Sequence, residues 1–260
     1  MRYLFAIIAA TLIGGPCAAK DAGDGFLVTP SEINSERSFK GFRGHDIAAF
    51  SGALWKREQA LPKKSEYETQ VAYQERVDKW KAAAVSGSIM LDSVLAFSMP
   101  LARVTALNHL IHPTFDAETA RVRVQMTGEC ENHAGVVMAD TEKVLGSYVG
   151  SNAFGVKRKV KTIFRTSLCL QLLDHPDWVN FHEPVNIDPA TAKAMTRVGH
   201  LVLLGTLREP YRWSEMNTSS PTLDDPYKVM HLAVAILFDL QEVLIIDPVT
   251  GRVFFRAKKP

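Results

Sequence analysis

The chain has 260 residues, with 30 Lys and Arg against 28 Asp and Glu, for a formal net charge of +2 with histidines neutral. That balance excludes a global electrostatic pull toward nucleic acid or anionic membranes. An apolar content of 47% is that of an ordinary globular protein and excludes a disordered one.

The first twenty residues are MRYLFAIIAATLIGGPCAAK. Arg2 opens them, Leu4 to Ile13 carry no charge, Gly14, Gly15 and Pro16 break any helix, and Ala19 is a small residue before Lys20. This layout predicts a secretory signal peptide over residues 1–19. The apolar stretch is too short and too broken for a permanent membrane anchor, which wants about 20 apolar residues. A lipidated Cys17 is the less favoured reading, because Pro16 stands where a lipoprotein signal wants a small residue. The expected location is periplasmic or secreted, with no transmembrane anchor after cleavage. Removal of residues 1–19 takes away only one charge, Arg2, so the mature chain stays near neutral.

Residues 20–44 are polar with scattered Gly, Pro and Ser, and read as a flexible N-terminal arm. A single domain is expected over 45–260. In HDIAAFSGALWKRE, Ile47, Phe50 and Leu54 have helical spacing, Asp46 stands at the N-cap, and Lys56 and Arg57 suit the C-terminal end. A second helix is expected in SEYETQVAYQERVDKWKAAA, capped by Ser65 with Glu68 or by Thr69. Its Tyr73, Val77, Trp80 and Ala84 share one face, which reads as a core contact.

After Gly87 the period shortens to two, and strands follow. HPTFDAETARVRVQM reads as a hairpin turning near Asp116 to Thr119. GVVMAD and VLGSYVG read as two short strands, and VKRKVKTIFRTSLCLQLL as one long strand or two. DPATAKAMTR is a short helix with Asp188 as cap and Pro189 in its first turn. HLVLLGTL and VMHLAVAILFDL are further strands, and EVLIIDPVTGRVFFRAK a terminal hairpin. The expected fold class is therefore α+β: two N-terminal helices, then about eight to ten strands in a mainly antiparallel sheet, with one short late helix.

Four stretches, YETQVAYQERVDKW, YVGSNAFG, PTLDDPY and LIIDPVTGRVFF, resemble a group of secreted or periplasmic bacterial proteins of uncharacterised role with a YVGxNAFG-type motif. The resemblance implies export and an α+β chain, and transfers no catalytic residue. In YVGSNAFG, Gly150 and Gly155 suit positive φ or a close backbone approach, so a tight reversal between strands is expected.

After signal removal the remaining cysteines are Cys130 and Cys169. An oxidising compartment suggests one disulfide between them. Two separately buried thiols are the alternative, and counting free thiols separates the two. His109-x-x-His112 and Cys130-x-x-His133 have metal-ligand spacing, but a strand would send His109 and His112 to opposite faces, so no metal and no cofactor are assigned. Residues 174–183 mix His175, His182 and Glu183 with Trp178 and Phe181, and read as a covering loop.

Residues 209–228 read as a loop of about twenty residues, a length that is uncommon without a functional reason. It offers Tyr211, Trp213 and Tyr227 as binding surface, with Asp224 and Asp225 as adjacent carboxylates. In a strand, Lys157, Lys159 and Lys161 share one face opposite Val156, Val160 and Phe164. Such a face is either solvated or takes an anionic envelope polymer. No nucleophile elbow, phosphate-binding loop or dinucleotide fingerprint is present. The leading expectation is a non-catalytic binding or scaffolding protein of the bacterial cell envelope, whose partner is an envelope protein or an anionic polymer. The alternatives are an envelope hydrolase of a glycan or peptide using loops 174–183 and 209–228, and a structural component of a secretion or surface assembly.

Overall fold

A computed structural model describes residues 39–108, 111–126, 129–130, 133–151, 154–172 and 180–258. Helix α1, Ile47–Gln59, starts where Asp46 Oδ1 accepts the Ala49 N–H at 2.8 Å. It buries Phe50, Leu54 and Arg57, one helical face. Helix α2, Gln70–Ala82, is capped by Thr69, whose Oγ1 accepts the Ala72 N–H at 3.2 Å.

The expected core stripe of α2 is corrected: the helix has no buried residue, and only Trp80 packs on the core. Tyr73 and Val77 are half-buried and Ala84 is exposed. The reason is that α2 lies at the rim and is held by its end rather than by its face. The Arg57 guanidinium donates to the carbonyls of Trp80, of Lys81 at 3.2 Å and of Ala84 at 2.7 Å. It also lies 4.8 Å from the centre of the Trp80 ring. Trp80 and Lys81 are in the last turn of the helix, where carbonyls run short of internal donors, and Ala84 follows the C-cap Ala83.

Ten strands and two more helices complete the described chain. They are β1 Leu95–Pro100, α3 Leu101–Leu107, β2 Ile111–Asp116, β3 Arg121–Met126, β4 Glu129–Cys130, β5 His133–Ser151 and β6 Lys157–Leu172. After these come β7 Asn180–Asn186, α4 Pro189–Val198, β8 His200–Thr218, β9 Tyr227–Ile246 and β10 Val253–Lys258. The fold is α+β, with four helices rather than three. Helix α3 escapes a sequence reading because it is seven residues long and no side chain caps it.

The main sheet runs β1-β8-β9-β6-β5-β4, with β10 also on β9, and β2-β3-β7 form a small second sheet. All pairings between these strands are antiparallel except β6 with β9, which is parallel from Lys161–Tyr227 to Leu172–Phe238. Where β6 leaves the flank of β9, β10 takes its place against Glu242–Ile246.

Three strands are longer than their alternation suggests, and bulges explain each one. Register shifts between Val137 and Ala139 and between Val144 and Gly146 divide the pattern of β5 into what reads as two strands. A shift between Leu204 and Gly205 does the same in the middle of β9, where Glu242 and Leu240 are successive partners. The expected loop 209–228 is largely strand. Four residues, Arg208 to Tyr211, bulge out between the pairs Leu207–Phe238 and Arg212–Ile236, and β8 then resumes to Thr218. Pro210 reads as a breaker, yet it interrupts the ladder for only that bulge.

The main core joins Phe50 and Leu54 of α1, Leu101 and Val104 of α3, and Ala192 and Met195 of α4 to one face of β1, β8 and β9. On the opposite face, Phe39 and Phe42 cover Ala96, Val202, Leu204, Leu244 and Ile246. The end of the stretch read as a flexible arm is thus packed. Gly41 N donates to Pro248 O, and His45 N donates to Ala96 O.

His45 gives a pH test. Its Nδ1 lies 2.8 Å from Ala96 O, and burial holds its pKa below the ordinary value despite that bond. His200 is lowered by burial as well, against the pull of Asp247. The folded state therefore binds these protons less readily than the unfolded chain, which takes them up from about pH 6.5 downward. Stability is complete above that pH and is lost as pH falls below it. The expected result is a lower urea midpoint at pH 5.5 than at 7.5, with a smaller difference in His45→Gln.

Candidate binding surface

Strands β5, β6, β8 and β9 run out of the core together. The Ser151 end of β5, the Lys157 end of β6, the Thr218 end of β8 and the Tyr227 end of β9 lie at one end of the sheet, as their registers require. Burial fades in that direction. Residues 169–172 of β6 are buried and 157–159 are exposed, and β8 is buried over 201–205 but exposed over 214–218. This outer part of the sheet forms a four-stranded blade.

The blade narrows further at its tip. Strand β9 begins at Tyr227, opposite Lys161. Beyond that point residues 148–151 and 157–160 pair only with each other among the described residues. The turn carries Gly155 at φ 80°, a value that favours glycine. At Gly150 a side chain would meet Val160 Cγ2 at 3.3 Å, so the close approach read from YVGSNAFG is present there.

Apolar side chains line this free end. Phe154 is 90% exposed, Val149 68%, Val144 59% and Leu145 52%, and Tyr148, Val156, Met216, Leu223 and Tyr227 are also exposed. Isolated exposed apolar residues are ordinary, but so many at one end of one sheet mark an interaction surface. Lys157, Lys159 and Lys161 are exposed as well and share the face expected of them, opposite buried Val160. Lys161 Nζ lies 6.0 Å from the centre of the Tyr227 ring.

Inward from the lysines the same face turns polar. Glu142 and Arg165 form an ion pair at 2.9 Å, half exposed on both sides, which contributes at most about 1 kcal/mol. Next, Ser167 Oγ donates to Asp140 Oδ1 at 3.2 Å and lies 2.8 Å from His231 Nε2. These are the residue types of a nucleophilic triad in the wrong order. A working triad puts histidine between acid and serine. Here the serine hydroxyl stands in the middle, between Asp140 and His231. Ser167 is buried in mid-strand and paired with β5 on one side and β9 on the other, so no free amides stand beside it as oxyanion donors. The row is a cross-strand network, and farther inward Cys169 and Ala235 pack with Val137 and Trp213.

The other expected site residues have local partners of their own. Tyr211 packs on Trp80, with ring centres 6.3 Å apart, and donates to Glu209 at 2.9 Å. Burial and that carboxylate push its pKa up to about 12. Glu209 also takes Lys81 at 2.6 Å, so Tyr211 belongs to the fastening of α2. Trp213 donates to Gln171 on the sheet face. Asp224 and Asp225 are exposed in the turn between β8 and β9, where Asp225 N donates to Thr222 Oγ1 and Thr222 N to Asp225 O. The turn is held through the backbone of Asp225. Of the named candidates, Lys157, Lys159, Lys161 and Tyr227 are brought together, with Asp224 and Asp225 in the turn that meets Lys161 through Pro226, and Tyr211 and Trp213 are not.

A shallow opening of about 490 Å³ lies between α1 and the end of α2. Alanines and Gly52 line most of it, and the Arg57 guanidinium beside it already serves the α2 carbonyls, so it offers little polar chemistry. Among the described residues no three His, Cys, Asp or Glu side chains converge as metal ligands. The side chains of Cys130, His109, His112, His133 and most of residues 174–183 lie outside the described residues, and with them the Cys130–Cys169 pairing. The exposed blade residues Val144, Leu145, Val149 and Phe154 escape sequence reasoning. One signal was readable: from Lys143 to Lys161 there are five cations and no Asp or Glu.

No protein-family model, curated protein or solved structure matches the chain. No described helix is long and apolar enough to cross a membrane.

Proposed function

We propose that this is an exported binding or scaffolding protein of the bacterial cell envelope, and that the outer end of the blade is its docking surface. The observation that carries this reading is the gathering of exposed apolar and cationic side chains where four strands outrun the core. Burying such a patch would remove several large side chains from water, at about 25 cal/mol per Å². The signal-like opening segment supports export. The hydrolase alternative draws nothing from Asp224 and Asp225, which are solvent-exposed.

Photocrosslinking tests the reading. Tyr148 and, separately, the exposed Lys193 of α4 are replaced by a photoreactive phenylalanine in cells that make the protein. The expected result is adducts in the envelope fraction from position 148 and none from position 193. No adduct at 148, or equal adducts at both, overturns the docking surface.

A further inference from the structure

We propose that the free end of the β5–β6 ribbon is an anchor for an anionic lipid surface. This rests on the docking reading above and names the partner. Three observations carry it.

The first is charge. Lys143, Lys157, Arg158, Lys159 and Lys161 lie within a stretch that has no acidic residue, in a chain whose net charge is only +2. The ribbon itself therefore carries charge of one sign, while Asp224 and Asp225 stand in the adjoining β8–β9 turn, which meets it where Lys161 N donates to Pro226 O. A cluster of this size is what anionic headgroups attract, at roughly fivefold in affinity per cation near the surface.

The second is the apolar content of the same segment. Val144, Leu145, Tyr148, Val149, Phe154 and Val156 are exposed among those cations. A soluble polyanion would satisfy the lysines and leave these side chains in water. A lipid surface satisfies both, because phosphates lie immediately above acyl chains. Cations and apolar groups together are the two signals that stable surface attachment requires.

The third is shape. Cross-strand pairs put Val149 on the face of Lys159, and Tyr148 on the face of Val160. Apolar groups are thus exposed on both faces of the ribbon. A flat protein partner would cover one face. Insertion of the tip, end first, covers both. The ribbon beyond Lys161 has no third strand among the described residues, and isolated two-stranded ribbons are only marginally stable in water.

The test uses the full chain as exported, with its N-terminus read by mass, and vesicles of phosphatidylcholine with or without 25% phosphatidylglycerol. The wild type is expected to sediment with the anionic vesicles and not with pure phosphatidylcholine, and to be released progressively by NaCl. The triple variant K157E, K159E, K161E is expected to lose at least a hundredfold in affinity. The double variant V149S, F154S keeps every charge and is expected to lose at least tenfold. Lys193→Glu is the control and should bind as the wild type does. All substituted side chains are exposed, and circular dichroism checks that each variant is folded.

Absence of binding to the anionic vesicles overturns the proposal, and so does binding that the triple variant retains. If V149S, F154S binds vesicles as tightly as the wild type, and both bind dextran sulfate equally, the tip is a polyanion site and the lipid assignment fails. Adducts from position 148 in cells together with no vesicle binding would leave the docking surface standing and remove only its lipid partner.

Discussion

Phe97→Ala is expected to lower the unfolding free energy by about 3–5 kcal/mol, read as a drop in urea midpoint at unchanged slope. Phe97 is fully buried in β1, the strand next to β8. Its ring meets Phe50 of α1 at 5.8 Å and Phe238 of β9 at 5.6 Å between centres, both edge to face. Such ring pairs add about 0.5–1.5 kcal/mol each beyond the area they bury. The residue therefore joins a helix, an outer strand and a central strand at one point. Truncation leaves a cavity among three elements, and relaxation of one wall alone cannot fill it. Phe97→Leu, which keeps most of the volume, should recover much of the loss. An equal loss in the Leu variant would show that the ring contacts matter more than the space filled.

Gly205→Ala is expected to destabilise by about 3 kcal/mol, at the upper end of the range for overpacked sites. A Cβ built there falls 2.2 Å from Asp239 O and 2.9 Å from Asp239 C, both backbone atoms. It also falls 2.9 Å from the edge of the Phe238 ring. Side chains move to admit a methyl group, but the backbone of β9 is fixed by β8 on one flank and by β6 and β10 on the other. The glycine sits at the register shift where β8 passes from the pairing of Leu204 to that of Leu207. It is what allows β8 and β9 to stay paired through their bulge. Gly52→Ala is the comparison: a Cβ there meets nothing within 4 Å, and the residue lies in α1, so that variant should be neutral to slightly stabilising. Thermal unfolding of the two variants side by side tests the contrast.

What could be read from the sequence was local. Asp46, Thr69 and Asp188 cap the helices expected of them, because a cap bonds to a backbone group three residues away. The turns at Asp116–Thr119 and Asp247–Gly251 form for the same short-range reason, with Asp116 and Asp247 each holding a threonine hydroxyl three residues on. Strand identity at Leu95, Val124 and Ile236 follows from alternation.

Long-range features were not legible. Bulges at Met138, Leu145 and Gln241 shift the alternation by one residue and make a single strand look like two. The parallel pairing of β6 with β9 joins segments more than sixty residues apart, and neither carries a local mark of it. The lysine face of the candidate site was legible from period two alone. Its apolar half was not. Val149 and Val144 have the pattern of core residues, yet both are exposed, in the half of β5 where burial has faded.

The direction of β6 beside β9 has a mechanical consequence. A pull on the ribbon tip, with the body held, drags β6 lengthwise along β9 from Lys161 to Leu172. That load falls on all the ladder bonds at once instead of opening them singly from one end. The seam resists as a lap joint does, so traction at the tip would reach the interior before it stripped away the outermost strands.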